Sequence, residues 1–308
     1  MARHKTNGQV MREGLLKYKG RTKTYKTYRN ACEKMLTWAK EYKMGLVFNQ
    51  KGIQAFEQYL EHDRGLSAST IHTYVAACCQ VAGISQELIK EPSRTARTIT
   101  RSHNDDKNMQ GHEQASSGRF DRSVKFERAV GIRRDELRRL RGWNLCRDES
   151  GYLCVEVEKG KGGKYQLQRI LPQDEERVIS TFKEVREDER VFTRAELNNK
   201  IDYHGMRAEH AREAYQYYKD RLDQEPEYRE QLRKELVRRW RVSNDRKHSA
   251  REFLKEVYND TKYRCRGENK ERLEELERPT EYDRTALLAV SVFHLSHWRN
   301  DVTVKNYM

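Results

Sequence analysis

The sequence Phe293-His-Leu-Ser-His-Trp-Arg-Asn-Asp-Val-Thr-Val-Lys-Asn-Tyr-Met308 ends the 308-residue chain and overlaps an apolar helix predicted over residues 286–293. In it His297 precedes Tyr307 by ten residues, and His294 is a competing assignment for the histidine. A tyrosine hydroxyl can attack a phosphodiester when a neighbouring group accepts its proton. A lone tyrosine usually packs against the core, so a catalytic interpretation needs further groups.

Two segments upstream supply arginines suited to phosphate. His204-Gly-Met-Arg207 has the i, i+3 spacing that sets an imidazole and a guanidinium on one face of a helix. Gly131-Ile-Arg-Arg-Asp-Glu-Leu137 places Arg133 at a turn before an amphipathic helix, where it can donate two parallel hydrogen bonds to phosphate oxygens. Chance spacing and ordinary surface charge are the alternatives.

A lysine stands between these segments, in a predicted β-hairpin. Residues 153–158 alternate apolar and polar, residues 165–171 are again extended, and Lys161 lies in the connecting turn Lys159-Gly-Lys-Gly-Gly-Lys164. The glycines let the backbone approach DNA, and the lysine can reach a leaving oxygen. A solvated hairpin turn is the alternative.

The first third of the chain predicts a compact helical domain over residues 1–92. Apolar residues between 25 and 88 recur at helical spacing and fit three or four short helices. Asn49 and Ser67 are placed as N-caps, and Gly83 stands where a left-handed C-terminal residue is needed.

The rest of the chain divides by composition. Residues 93–118 contain almost no large apolar side chains and predict an exposed basic linker. Residues 119–308 predict a second domain, with a charged helical insertion over about 220–281. The predicted fold class is mainly α with a small antiparallel β-sheet.

Composition points to an anionic partner. Lys and Arg number 62 against 48 Asp and Glu, a formal charge of +14, for which nucleic acid is the first candidate. The six cysteines form no C-x-x-C pair and indicate buried thiols in a reducing compartment. No apolar run reaches the roughly 20 residues that span a bilayer, and the N-terminus has no signal core, so we expect a cytoplasmic protein without a membrane partner.

The order Arg, Lys, His-x-x-Arg, His, Tyr resembles the active-site set of tyrosine recombinases, the phage-type integrase family. The matching segments are 131–137, 159–164, 204–207 and 295–307. Gly65-Leu-Ser-Ala-Ser-Thr-Ile-His-Thr-Tyr-Val75 also resembles the third helix of that family's core-binding domain. The resemblance implies an N-terminal helical, SAM-like core-binding domain followed by an α+β catalytic domain.

The resemblance also implies a chemistry. Tyr307 would form a 3′-phosphotyrosyl bond without ATP, metal or other cofactor, for integration or excision of a mobile element. Arg133, Arg207, His204 and His297 would hold the phosphate, Glu136 would orient Arg133, Lys161 would be the general acid and His204 the base. Residues implied to contact DNA are Lys159, Lys164, Thr70 and Arg134.

Partners follow from the same resemblance. Double-stranded DNA is the substrate, and four protomers would assemble on paired sites, with an accessory directionality protein and a nucleoid-associated location. Arg207 and His297 are 90 positions apart, longer than is usual in the family, and the interval from His297 to Tyr307 is one residue longer than the common pattern. The chain stops one residue after Tyr307, where many relatives continue.

Three other functions fit parts of the sequence. A type IB topoisomerase would use nearly the same residues on one duplex. A catalytically silent, sequence-specific DNA-binding protein could keep the fold with a misplaced tyrosine. A basic helical nucleic-acid or ribonucleoprotein adaptor would need only the charge and the linker.

Overall fold

The computed structural model describes residues 5–93, 115, 117–243 and 249–308. The chain is mainly helical, with a three-stranded and a two-stranded antiparallel sheet, which confirms the predicted fold class. It divides into two compact units, Met1–Ile99 and Thr100–Met308. The predicted linker lies almost entirely outside the described residues, and so does its basic run from residue 94 to 114.

The first unit is a helical bundle whose local signals are those predicted. The Asn49 side chain accepts a hydrogen bond from the Gly52 amide at 2.9 Å, and Gly83 ends a helix with a left-handed φ of 73°. The sequence did not indicate the first helix. The helices are α1 Asn7–Leu16, α2 Thr22–Glu41, α3 Gln50–Gln58, continued by a π-helical turn Tyr59–Asp63, and α4 Ala68–Ala82.

The larger sheet of the second unit has the order β1-β2-β3, with β1 Leu145–Arg147, β2 Leu153–Val157 and β3 Gln166–Arg169. Strands β2 and β3 form the predicted hairpin, and Gly162 and Gly163 take φ values of 79° and 77° in its turn. Strand β1 was not predicted, because three residues are too short to show an alternating pattern.

Ten helices are described in the second unit. The amphipathic helix predicted after Arg133 ends at Leu137, and the Val191 amide then donates to the Leu140 carbonyl. The helices are α5 Asp121–Val130, α6 Arg134–Leu137, α7 Glu175–Phe182, α8 Arg194–Leu197, α9 Tyr203–Gln224, α10 Tyr228–Val242, α11 Ala250–Val257, α12 Glu268–Glu275, α13 Arg284–Ala289, continued by a π-helical turn Val290–His294, and α14 Asn300–Tyr307. A short sheet pairs β4 Tyr263–Arg264 with β5 Glu281–Tyr282.

The charged segment 220–281 is part of the core of the second unit. Its buried side chains Leu232, Leu236 and Phe253 pack in one cluster with the apolar residues of α13 and with Tyr307. Arg169 of β3 is 2% exposed and binds Glu235 of α10 at 2.8 Å. The segment therefore lengthens the chain of the second unit without forming a separate domain.

Candidate active site

Tyr307 lies in the last turn of α14 and is 5% exposed. Its hydroxyl shares a hydrogen bond of 3.0 Å with Nε2 of His297. His297 lies between Ser296 and Trp298, which both have left-handed φ values, 54° and 61°. Non-glycine residues adopt this conformation at a cost, and such strain often marks a functional site. The backbone thus holds His297 against the tyrosine in an unusual loop.

Arg207 is fixed from two sides beside this pair. Its guanidinium carbon is 5.7 Å from the centre of the Tyr307 ring, and the side chain donates to the carbonyls of Gly131 and Leu295, the latter at 2.9 Å. Its Nε is buried and has no acceptor within the part of the chain that the structure describes. A buried, unpaired donor is costly, so this N–H suits an anionic ligand.

Arg133 is bound by Glu136 just before α6. One oxygen of Glu136 accepts from the Arg133 guanidinium and the other from the Arg133 amide, both at 2.8 Å. Gln166 of β3 donates to the same carboxylate at 3.3 Å. Burial raises the pKa of Glu136, but the charges of Arg133 and Arg207, together with the hydrogen bonds from Arg133, outweigh burial and the pKa is lowered. Glu136 therefore stays ionised and orients Arg133.

His204 begins α9, where the Asp202 side chain accepts from its amide at 3.1 Å. Its ring faces the Tyr307 ring edge-on, with centroids 5.5 Å apart. His204, Arg133 and Arg207 line one cavity of about 260 Å³. Two of these three side chains, His204 and Arg207, also lie against the Tyr307 ring.

The lysines of the hairpin turn influence the pKa of His297. Lys161 is exposed and Lys164 half-buried. The pKa of His297 is lowered to about 3, first by burial and then by the charges of Arg207, Arg133, Lys164 and Lys161. His297 is thus neutral at ordinary pH, in an environment made positive by the residues that the sequence singled out.

The residues expected to contact DNA have mixed surroundings. Lys159 is exposed in the hairpin turn. Thr70, in the first unit, is half-buried and its hydroxyl lies 3.0 Å from that of Ser67 at the start of α4. Arg134 points inward: it donates to the Asn199 carbonyl at 2.7 Å and stacks 4.6 Å from the Tyr203 ring. Because its donors serve the fold, this geometry does not support Arg134 as a DNA contact.

His294, the competing assignment, is a core residue. It is fully buried, with Nδ1 2.9 Å from Nε2 of His210 and Nε2 3.1 Å from the Tyr218 hydroxyl. Burial lowers the pKa of His210 to about 4, with a further contribution from the charge of Arg207. Of the two histidines near the end of the chain, only His297 contacts Tyr307.

Two residues for which the sequence predicted no role in the site, Gly131 and Gln168, support it through the backbone. Gly131 has a φ of 63°, and a Cβ there would lie 2.6 Å from Cδ2 of His210, so the position needs glycine. Gln168 is fully buried and donates to the carbonyls of Val130 and His294. The alternation of Gln166 and Gln168 in a predicted strand was the available signal for buried amides on one face.

Two further properties concern the described residues only. Among them, no group of three or more His, Cys, Asp or Glu side chains could hold a metal ion. None of their helices combines the length and apolar character needed to cross a lipid bilayer.

The similarity of this chain to known proteins is weak. No protein-family model matches the chain, and no curated protein matches it. Among solved structures, the crystal structure of XerA recombinase matches over 67% of this chain and 83% of that chain, with 16% identity and a TM-score of 0.25.

Proposed function

We propose that this protein breaks and rejoins DNA as a tyrosine recombinase, with Tyr307 as the nucleophile. The observation that supports this most is the hydrogen bond between the Tyr307 hydroxyl and His297, beside the buried Nε of Arg207, which has no acceptor among the described residues. A tyrosine has an ordinary pKa of about 10 and is a poor nucleophile unless a neighbouring base takes its proton. The site supplies that base and donors for the phosphate.

In the proposed reaction, His297 is the base once DNA is bound, because the phosphate charge offsets the charges of Arg207 and Arg133 that help to lower its pKa in the free protein. Its neutral Nε2 accepts the hydroxyl proton while the Tyr307 oxygen forms a bond to phosphorus. The bond from phosphorus to the 5′-oxygen breaks, and Lys161 protonates that oxygen, leaving a 3′-phosphotyrosyl bond and a free 5′-hydroxyl. A second 5′-hydroxyl reverses these steps and rejoins the strands. Because the phosphodiester energy is conserved, the reaction consumes no nucleotide.

This mechanism reassigns one residue. The family resemblance implies His204 as the base, whereas the hydrogen bond of 3.0 Å to the Tyr307 hydroxyl is made by His297. We assign His204, with Arg133 and Arg207, to the cavity that would receive the non-bridging phosphate oxygens. Preorganised donors of this kind usually supply the largest part of catalysis.

The substrate and biological role belong to the same proposal. A net charge of +14 suits a phosphate backbone, and strand exchange between two duplexes requires four protomers, each cleaving one strand. We propose integration or excision of a mobile element as the outcome, with an accessory protein setting direction. Lys159 and Lys164 of the hairpin turn are the proposed phosphate contacts, with Thr70 in the first unit.

The test is covalent trapping on nicked duplexes carrying sequences from the flanks of the gene, in EDTA. Wild-type protein should form an adduct that survives denaturation, and Tyr307→Phe should form none. Tyr165→Phe is the matched control, because Tyr165 is 48% exposed in the hairpin. Specific binding without an adduct would instead indicate a silent DNA-binding protein. Relaxation of supercoiled plasmid without a specific site would indicate a topoisomerase.

A further inference from the structure

The last turn of α14 is held by two arginines outside the active site described above. Helices end with main-chain carbonyls that lack partners within the helix. Here Arg212 donates to the Tyr307 carbonyl at 3.1 Å, and Arg278 donates to the Met308 carbonyl. Both are half-buried. The residue that carries the nucleophile is thus fixed through its own backbone.

The two arginines come from different parts of the second unit. Arg212 lies on α9, the helix that also carries Arg207, and Arg278 follows α12 in the charged segment 220–281. Burial lowers the pKa of Arg212 and of Arg272, and the charge of Arg278 lowers both further. Arg272 and Arg278 line a small cavity together with residues 304–308. Three cations therefore lie near the negative end of the helix dipole, where positive charge is favoured.

The other end of α14 is bound to the same charged segment. The Asn300 side chain donates to Glu256 of α11 at 2.6 Å, and Arg284 donates to the same carboxylate oxygen at 2.7 Å. Helix α14 has eight residues, little more than two turns, so its terminal contacts matter more than they would in a long helix.

We propose that Arg212 and Arg278 are positioning residues that keep the last turn of α14 helical and so hold the Tyr307 hydroxyl against His297. The inference rests on the proposed function of Tyr307. If the last turn opened, the ring would leave the hydrogen bond at 3.0 Å from His297. Displacing a reacting group by about 1 Å can slow a reaction roughly 100-fold, which sets the scale of the effect.

The experiment compares Arg278→Gln, Arg212→Gln and the double variant in the full chain. Arg278→Lys and Arg212→Lys keep one donor, and Arg266→Gln, at an exposed arginine of the same segment, controls for loss of charge. We expect the glutamine variants to lower the single-turnover rate of adduct formation on saturating nicked DNA about 10- to 100-fold, with DNA affinity changed by less than about threefold. The lysine variants should recover part of the rate.

Hydrogen exchange of the amides in α14 is a second readout that needs no DNA. Exchange at residues 304–308 should become faster in the glutamine variants and stay unchanged in Arg266→Gln. Unchanged exchange and rate in the double variant, or a loss confined to DNA affinity, would overturn the inference. If wild-type protein forms no adduct, the function proposed for Tyr307 fails, while the exchange measurement still decides whether the arginines hold the helix. Arg212→Gln carries the test if Arg278→Gln does not fold.

Discussion

Two fully buried histidines, His210 and His294, and the half-buried His297 lie around Arg207. Burial is the first cause that lowers the pKa of each: His210 to about 4, His297 to about 3, and His294 well below its usual value. In the unfolded chain a histidine titrates near pH 6.5. Between about pH 6.5 and 4 the unfolded state therefore binds protons that the folded state does not. Stability falls as the pH falls through this window, by up to about 1.4 kcal/mol per pH unit for each histidine.

We predict that the free energy of unfolding measured in urea decreases from pH 7 to pH 5 and that His294→Gln makes this decrease shallower. His62→Gln, at an exposed histidine, should leave the slope unchanged. Equal slopes in wild type and His294→Gln would contradict the neutral state of the buried histidine.

The rate of DNA cleavage should not fall over the same range through protonation of His297, whose pKa is about 3.

Gly131 gives a second prediction at the residue scale. Its carbonyl holds Arg207, and a Cβ would meet the His210 ring at 2.6 Å. Gly131→Ala combines a left-handed backbone with this clash, and should destabilise the protein by about 2–4 kcal/mol and abolish adduct formation. Gly151→Ala is the matched control: its φ is 84° but nothing lies within 4 Å of its Cβ position, so it should cost only about 1–2 kcal/mol. Similar losses in both variants would show that the contact with His210 is unimportant.

For single residues, the sequence predicts those contacts that are made between residues close together in the chain. The capping groups of Asn49 and Ser67 are formed as predicted, because each involves residues three apart. The choice between His294 and His297 could not be made this way. It depends on packing against α9, which is distant in sequence, and the same holds for Gly131.

Among the elements, the charged segment 220–281 supports the loop that carries His297. Trp298, the next residue, packs against Trp240 of α10 and Phe253 of α11, with ring centroids 5.1 and 5.5 Å apart. The segment therefore touches the loop at Trp298 and α14 at both ends. The sequence of the segment did not indicate this role. The buried face of α10 is a narrow stripe among many charged residues, and the residues that pack against this stripe lie outside the segment.

Trp240→Ala tests the role of the segment. Removal of this ring leaves a cavity beside Phe253 and Trp298, which should lower the free energy of unfolding by about 2–4 kcal/mol and reduce adduct formation. Val242→Ala on the same helix, where Val242 is 60% exposed, should change neither. Urea unfolding measures the free energy of unfolding, and covalent trapping measures adduct formation. A Trp240→Ala protein that is destabilised yet cleaves at the wild-type rate would separate the segment from the site.

For the whole molecule, charge is the main property that the sequence establishes. If the excess of 14 positive charges serves DNA binding, the logarithm of the binding constant should fall linearly with the logarithm of salt concentration. A protein with 6–10 phosphate contacts loses about 10³- to 10⁵-fold in affinity between 50 and 200 mM salt. Lys159→Ala should reduce the slope by about 1. An affinity that does not depend on salt would contradict a phosphate-based interface.

The most direct test of the account is to identify the residue that becomes linked to DNA. The adduct formed on nicked DNA would be digested with nuclease and protease, and the modified peptide sequenced by mass spectrometry. The chain has 17 tyrosines, so the position is informative. The account predicts a nucleotide joined to Tyr307 through a 3′-phosphate. A nucleotide on any other residue, or a 5′-linkage, would contradict it.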